Sequence, residues 1–141
     1  MPQLKDILHD RKPFSADPGE TVAEVAARMA ALNIGAILVL ERGELRGVFS
    51  ERDLMKRVIV GGLDPRQTLV QQVMSTDLTK ADESATSEMA MELMRRCGCR
   101  HLPVMRNSQV VGFISMRDLM LYELEQKAEE IRHMRNYIQS V

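Results

Sequence analysis

Two short stretches of this chain carry residue types that could do chemistry, and they are nearly the same stretch. Ser50-Glu51-Arg52-Asp53 returns as Ser115-Met116-Arg117-Asp118. Each follows an apolar run that opens with a glycine, Gly47 in one case and Gly112 in the other. A serine and an aspartate three residues apart, where a strand gives way to a helix, have two uses. One is a capping box, in which the hydroxyl takes a first-turn N–H and the carboxylate takes the cap amide. The other is recognition. The carboxylate has acceptor sites for two vicinal sugar hydroxyls, and the serine with the first-turn N–H groups suits phosphate oxygens. One residue can serve both. Arg52 and Arg117 stand in the first helical turn, where a cation opposes the helix dipole. A bound anion removes that conflict; the alternative is a surface or salt-bridged arginine.

A second group has no counterpart in the first half. Arg100 and His101 stand where the earlier stretch has Gly35 and Ala36. Buried, they require a partner. A phosphate supplies one, taken by Arg as a fork and by His as a titratable donor; the alternative is a local acid for Arg100 and a structural role for His101. Just before them, Cys97-Gly98-Cys99 leaves three options. The C-x-C-x-H spacing could ligate a metal but lacks a fourth ligand nearby, the thiols could respond to redox state, or both could be small apolar fillers. The last is the expectation.

These residues need positioning, and the chain does it twice. Gly47–Met55 recurs as Gly112–Met120, a shift of 112 − 47 = 65 residues. The same shift pairs Thr21 with Thr86, Met29 with Met94 and Val39 with Val104. A fixed period over most of a chain means one supersecondary unit built twice. In the first unit an extended piece near Pro13–Ser15 leads to a turn at Asp17-Pro18-Gly19. Thr21 then caps a helix carrying Val22, Val25, Met29 and Leu32, which Asn33 and Gly35 close. Ala36–Leu40 is a continuous apolar strand, Gly43 marks a hairpin, Leu45–Ser50 returns, and a helix starts at Glu51. The second unit has extended Leu78–Lys80, a helix capped by Thr86, strands His101–Met105 and Val110–Ser115, and a helix from Met116. Between them lie Gly61-Gly62, Asp64-Pro65 and a short helical piece near Leu69–Met74. Each unit reads β-α-β-β-α. A lone unit of about 60 residues buries little apolar surface, so the two are expected to pack face to face as one body.

The bulk numbers exclude several functions. At 141 residues with a net charge of −1, the chain has no electrostatic footprint for nucleic acid or an anionic membrane. No apolar run approaches the roughly 20 residues of a spanning helix. With 4% aromatic residues and no Trp, an aromatic sugar or single-strand platform is excluded. Two cysteines this close cannot staple distant parts, and the N-terminus has no signal-peptide pattern, so the expected compartment is a reducing cytoplasm. There is no P-loop, no dinucleotide glycine fingerprint and no nucleophile beside a base.

The paired G-x-h-S-x-R-D-L stretches (h apolar), Arg100–Val104 (RHLPV) and the linker Val73–Thr86 together resemble the CBS-domain pair, or Bateman module, from Lys5 to about Glu125. The resemblance implies an α/β (α+β) fold of tandem β-α-β-β-α repeats packed with pseudo-twofold symmetry. It implies a first repeat with N-terminal segment at 1–64, a second at 65–126 and a helical extension at 127–141. It further implies a regulatory, non-catalytic role and an adenosyl ligand such as AMP, ATP or NAD in clefts between the repeats. Ser50, Arg52, Asp53, Ser115, Arg117, Asp118, Arg100 and His101 are then expected at the ligand. The edge pieces at Pro13-Phe14 and Leu78-Thr79, facing Ile34, Ala36, Leu102 and Pro103, would wall the adenine. No resident metal is expected. Because only the second unit has Arg100 and His101, the two clefts should differ.

Past Met120 the last helix overruns its counterpart. Leu121, Leu124, Ala128, Ile131, Met134 and Ile138 make an apolar stripe, and Met89 and Leu93 replace Glu24 and Arg28 of the first unit. Both features predict a homodimer, and a regulatory module without an output domain needs an effector protein.

Overall fold

The computed structural model describes residues 2–8 and 11–140. In chain order the elements are α1 (Leu4–Leu8), β1 (Ser15–Ala16), α2 (Val22–Leu32), β2 (Ala36–Glu41), β3 (Glu44–Ser50), α3 (Glu51–Asp53) running into a π-helix (Leu54–Ile59), and α4 (Val70–Val73). The second half adds β4 (Ala81–Asp82), α5 (Ser87–Cys97), β5 (His101–Arg106), β6 (Gln109–Ser115) and α6 (Met116–Ser140). Each half holds a three-stranded sheet, ordered β1-β2-β3 and β4-β5-β6, with the first pair parallel and the second antiparallel. The repeat extends to irregularities: the β2/β3 register shifts at Val39/Leu40 and the β5/β6 register at Val104/Met105.

Local chemistry sets the element ends as expected. Thr21 and Thr86 accept from the N–H groups of Glu24 and Met89. Asn33 and Gly98 close the two helices in the left-handed conformation. The helix expected from Glu51 keeps α geometry only to Asp53 and then widens, with Val60 N–H reaching Met55 O. Its side chain Arg57 donates to Val73 O and Met74 O at the end of α4, at 3.2 and 2.8 Å. The carbonyls orphaned there gain a cation.

The buried side chains form two cores, one per half, where the repeat period had implied a single shared body. Each core is completed by a helix from the other half. Leu4, Ile7 and Leu8 of α1 pack with Ala81, Ala90, Met94 and Leu102 of the second unit. Val70 and Val73 of α4 pack with Val22, Val25, Ile37 and Phe49 of the first. The backbone bonds match: Leu4 N–H donates to Ala85 O at 2.8 Å, and Val70 N–H donates to Glu20 O at 2.9 Å. The N-terminal segment, grouped with the first unit by chain position, thus contributes its apolar side chains to the second.

The exchange explains the glycines of the repeated stretches. A Cβ on Gly47 would come within 2.6 Å of Met74 Sδ and 2.8 Å of Ser75 O; one on Gly112 would lie 2.5 Å from Leu8 Cδ1. A crossing segment occupies the space in both places. Leu4→Ala tests the arrangement. Leu4 is fully buried, so the truncation should cost about 2–5 kcal/mol in urea unfolding. A cost below about 0.5 kcal/mol, the range of surface substitutions, would contradict an N-terminal helix seated in a core.

Candidate functional site

The two halves meet at a cleft of about 460 Å³, within the range of small-molecule sites. Its floor is where β2 and β5 begin, contributed by Gly35 and Ala36 from one half and Arg100, His101 and Pro103 from the other. Ser50, Glu51, Arg52 and Asp53 enter from the β3–α3 junction, and Ser75, Asp77, Leu78 and Thr79 from the linker after α4. Val48, Cys97 and Cys99 complete the lining.

Of the expected ligand residues, Ala36, Ser50, Arg52, Asp53, Thr79, Arg100, His101 and Pro103 are brought together here. Phe14, Ser115, Arg117 and Asp118 do not line this cleft. Phe14 is 51% exposed, and Leu102, expected at an adenine wall, is fully buried in the second core. By the 65-residue shift Phe14, Ser115, Arg117 and Asp118 are the repeat counterparts of Thr79, Ser50, Arg52 and Asp53, on the other side of the pseudo-twofold. There Arg11 already holds Asp118 Oδ2 at 3.2 Å, and neighbouring His9 and Asp10 fall outside the described residues.

Both Ser/Asp pairs are capping boxes. Asp53 N–H donates to Ser50 Oγ at 3.2 Å and Ser50 N–H donates to Asp53 Oδ2 at 3.0 Å; the second pair does the same at 3.0 and 2.9 Å. Asp53 is more engaged than its spacing implied. Its Oδ2 also accepts from Ser50 Oγ at 3.1 Å, and its Oδ1 accepts from Ser75 Oγ at 3.0 Å with Arg57 at 3.7 Å. A sugar diol must therefore compete with the Ser75 hydroxyl. The helix N–H groups expected to face phosphate are also largely used, because Glu51 N–H donates to Gly35 O and Met116 N–H to Arg100 O.

The cations are the unspent groups. Among the described residues neither Arg52 nor Arg100 has a side-chain hydrogen bond or an ion-pair partner, and both face the cleft. Arg100 is exposed, where the sequence had implied burial, so water meets the cost of its charge. His101 is half-buried, its ring centroid 5.2 Å from that of Phe113. Burial holds its imidazole below the ordinary histidine value, the Asp118 and Glu51 carboxylates pull the other way, and Arg100 adds to the depression. With His101 neutral, the lining charges are Arg52 and Arg100 against Glu51, Asp53 and Asp77, so 2 − 3 = −1.

Glu51, Ser75 and Asp77 are the lining residues that spacing did not single out. Glu51 carried a usable signal, since its repeat partner is Met116. Cys97, expected as an apolar filler, is exposed, and its sulfur is joined to that of Cys99 in a disulfide with Cα atoms 5.3 Å apart. The arginines nearest a nucleic-acid reading are spent. Arg95 and Arg96 both pair with Glu92, at 2.7 and 3.0 Å, and hold its carboxyl down at about 2. No described helix is long and apolar enough to cross a membrane.

Comparison with known proteins agrees with this geometry. The chain is 33% identical over 128 residues to the CBS domain-containing protein YhcV of Bacillus subtilis, covering 91% of this chain and 90% of that one. The crystal structure of the CBS-domain protein NE2398 superposes with a TM-score of 0.82 at 29% identity, over 87% of this chain and 98% of that one. The CBS domain protein PAE2072 from Pyrobaculum aerophilum, solved in complex with AMP, superposes with a TM-score of 0.75 at 26% identity, over 89% and 99%. With the CBS-domain model matching residues 4–60 and 70–125, the two interlocked units are two CBS repeats, and the chain belongs to the CBS-domain family.

Proposed function

We propose that the chain is a cytoplasmic regulatory module that binds an adenine nucleotide carrying little phosphate charge, with AMP the best fit, in the cleft between its repeats. The single observation carrying this reading is the pair of arginines, without side-chain partners among the described residues, that face a cleft also lined by the Asp53 carboxylate. Arg100 and Arg52 take the phosphate, as forks suited to its oxygens. Asp53 takes the ribose hydroxyls in place of Ser75. Ala36, Val48, Leu78 and Pro103 supply apolar walls for the base. A lining charge of −1 disfavours ATP, whose three phosphates bring more negative charge than two arginines neutralise. NAD stands between the two. The AMP bound by PAE2072 supports the same ligand class.

The mechanism is linkage. A ligand touching both repeats favours one mutual orientation by its difference in affinity between states. Displacing Ser75 from Asp53 transmits occupancy to the linker behind α4. An effector protein reads that change.

We further propose a homodimer. Met55 and Ile59 of the first repeat and their partners Met120 and Leu124 of the second are exposed to matching degrees, 54% with 56% and 63% with 64%. Ile131, Met134 and Ile138 extend the apolar stripe along α6. A second copy covers such a self-similar face. Of the flank expected to dimerise, Met89 is exposed, but Leu93 packs on the second core.

Calorimetry with AMP, ATP, NAD and adenosine tests the ligand. AMP should bind more tightly than ATP, and Arg100→Gln should weaken AMP about tenfold, or 1.4 kcal/mol, while leaving adenosine unchanged; no binding of any of the four overturns the reading. A phosphate beside His101 raises an imidazole that burial holds low, so binding takes up a proton. Affinity for AMP should therefore rise from pH 8 to pH 6. His101→Gln should retain only the dependence of AMP's own phosphate, which titrates near pH 6. For assembly, light scattering should report a dimer that Met120→Glu with Leu124→Glu converts to a monomer; a monomeric parent protein defeats that proposal.

A further inference from the structure

Cys97 and Cys99 are the chemically reactive residues of the cleft that nucleotide recognition does not use. We propose that they form a reversible dithiol–disulfide site in the cleft wall, taking a dithiol reductant, whose redox state sets the position of Arg100 and so the affinity for a bound anion. Only the anion step rests on the nucleotide reading.

Several observations converge. Both cysteines line the cleft. They are bonded to one another across a sequence separation of 2. The 5.3 Å between their Cα atoms lies within the span that a disulfide bridges. A loop this short removes little freedom from the unfolded chain, so the bond contributes little as a staple. Cys97 is exposed and Cys99 half-buried, which gives an incoming thiolate one reachable sulfur. Exposed disulfides belong to the labile, regulatory kind. The first repeat has Leu32 and Ile34 at these positions, so the pair occurs only in the repeat that carries Arg100 and His101.

The exchange balances without a metal or a further cofactor. A thiolate of the dithiol attacks Cys97 Sγ, the Cys97–Cys99 bond breaks, and Cys99 leaves as a thiolate. The second thiol of the reductant then attacks the mixed disulfide and releases Cys97. Two electrons pass from the dithiol, which becomes a disulfide, to the cysteine pair.

Coupling to the site follows from the backbone. The bond spans Gly98, the left-handed cap of α5 at φ +65, and Cys99 N–H donates to Met94 O at 3.2 Å. Arg100 comes next, and β5 starts at His101. Closed, the ring fixes the turn from which Arg100 projects. Opened, the turn loosens and Arg100 is no longer held where it meets a bound anion. Reduction should lower anion affinity.

The test compares protein treated with oxidised dithiothreitol, which spares the methionines, with protein treated with dithiothreitol. Iodoacetamide should label both cysteines only after reduction. Amide NMR signals of Gly98, Cys99, Arg100 and His101 should move on reduction. AMP should bind at least threefold more weakly to the reduced form. The Cys97→Ser, Cys99→Ser double variant should bind like the reduced form under both conditions. Two labelled thiols after the oxidising treatment overturn the proposal, as do unmoved Arg100 and His101 signals with equal AMP affinity. If AMP binds neither form, the nucleotide reading fails by itself. The NMR comparison and a titration with inorganic phosphate then decide this one, and the same threefold difference for phosphate, together with moved signals, supports it.

Discussion

The exchange of α1 and α4 between the repeats is the constraint on which the rest depends. A unit with a three-stranded sheet and two helices leaves one flank of its core open, and each flank is closed by a short helix from the other half. Neither core is complete without the other repeat, which is how two small units reach the burial a stable domain needs. The exchange also dictates sequence. Gly47 and Gly112 are glycines because a chain segment crosses there. Arg57 reaches the end of α4 because an exchanged helix of four residues has almost no internal satisfaction of its terminal carbonyls.

The cleft is a by-product of the same crossing. After α4 the chain runs past β3, pairing Ser75 with Val48 by hydrogen bonds of 3.0 and 2.8 Å, and brings Asp77, Leu78 and Thr79 against the α3 junction. The first half thus supplies Asp53 and Arg52, and the second Arg100 and His101, to a single site. The corresponding helix start of the second repeat is not its equal. Asp118 pairs with Arg11 where Asp53 accepts from Ser75, and Glu51 of one helix start stands where the other has Met116. Near-identical folds therefore carry two differently charged surfaces.

What spacing revealed and what it hid follow from that distinction. Motifs acting within one unit were legible: Thr21 and Thr86 as caps, both Ser/Asp boxes, and the ends of β2, β3, β5 and β6 within a residue. The short strands β1 and β4, by contrast, lie later than the extended pieces expected at Pro13–Ser15 and Leu78–Lys80. The period of 65 exposed the twofold relation. Features that join the units were hidden. Nothing in the N-terminal pattern says that Leu4 belongs to the core of the second repeat, because a five-residue helix carries no periodic signal long enough to read. Ser75 had no motif, since its role is to touch Asp53 across 22 residues of sequence. Cys97 aligned with Leu32 and so read as core, although the helix end there faces the cleft.

The engagement of Asp53 bears on how such a site signals. A carboxylate free in the empty cleft would bind a diol tightly but leave the protein as it was. On the proposed reading, a diol would replace a hydroxyl that sits on the crossing segment, two residues past the end of α4. Some intrinsic affinity is lost to that competition. In return the occupied and empty forms differ at the linker, and α4 is part of the first repeat's core. Because a ligand shifts an equilibrium only through its unequal affinity for two states, a pre-engaged aspartate is what would couple the proposed nucleotide occupancy to the packing between repeats.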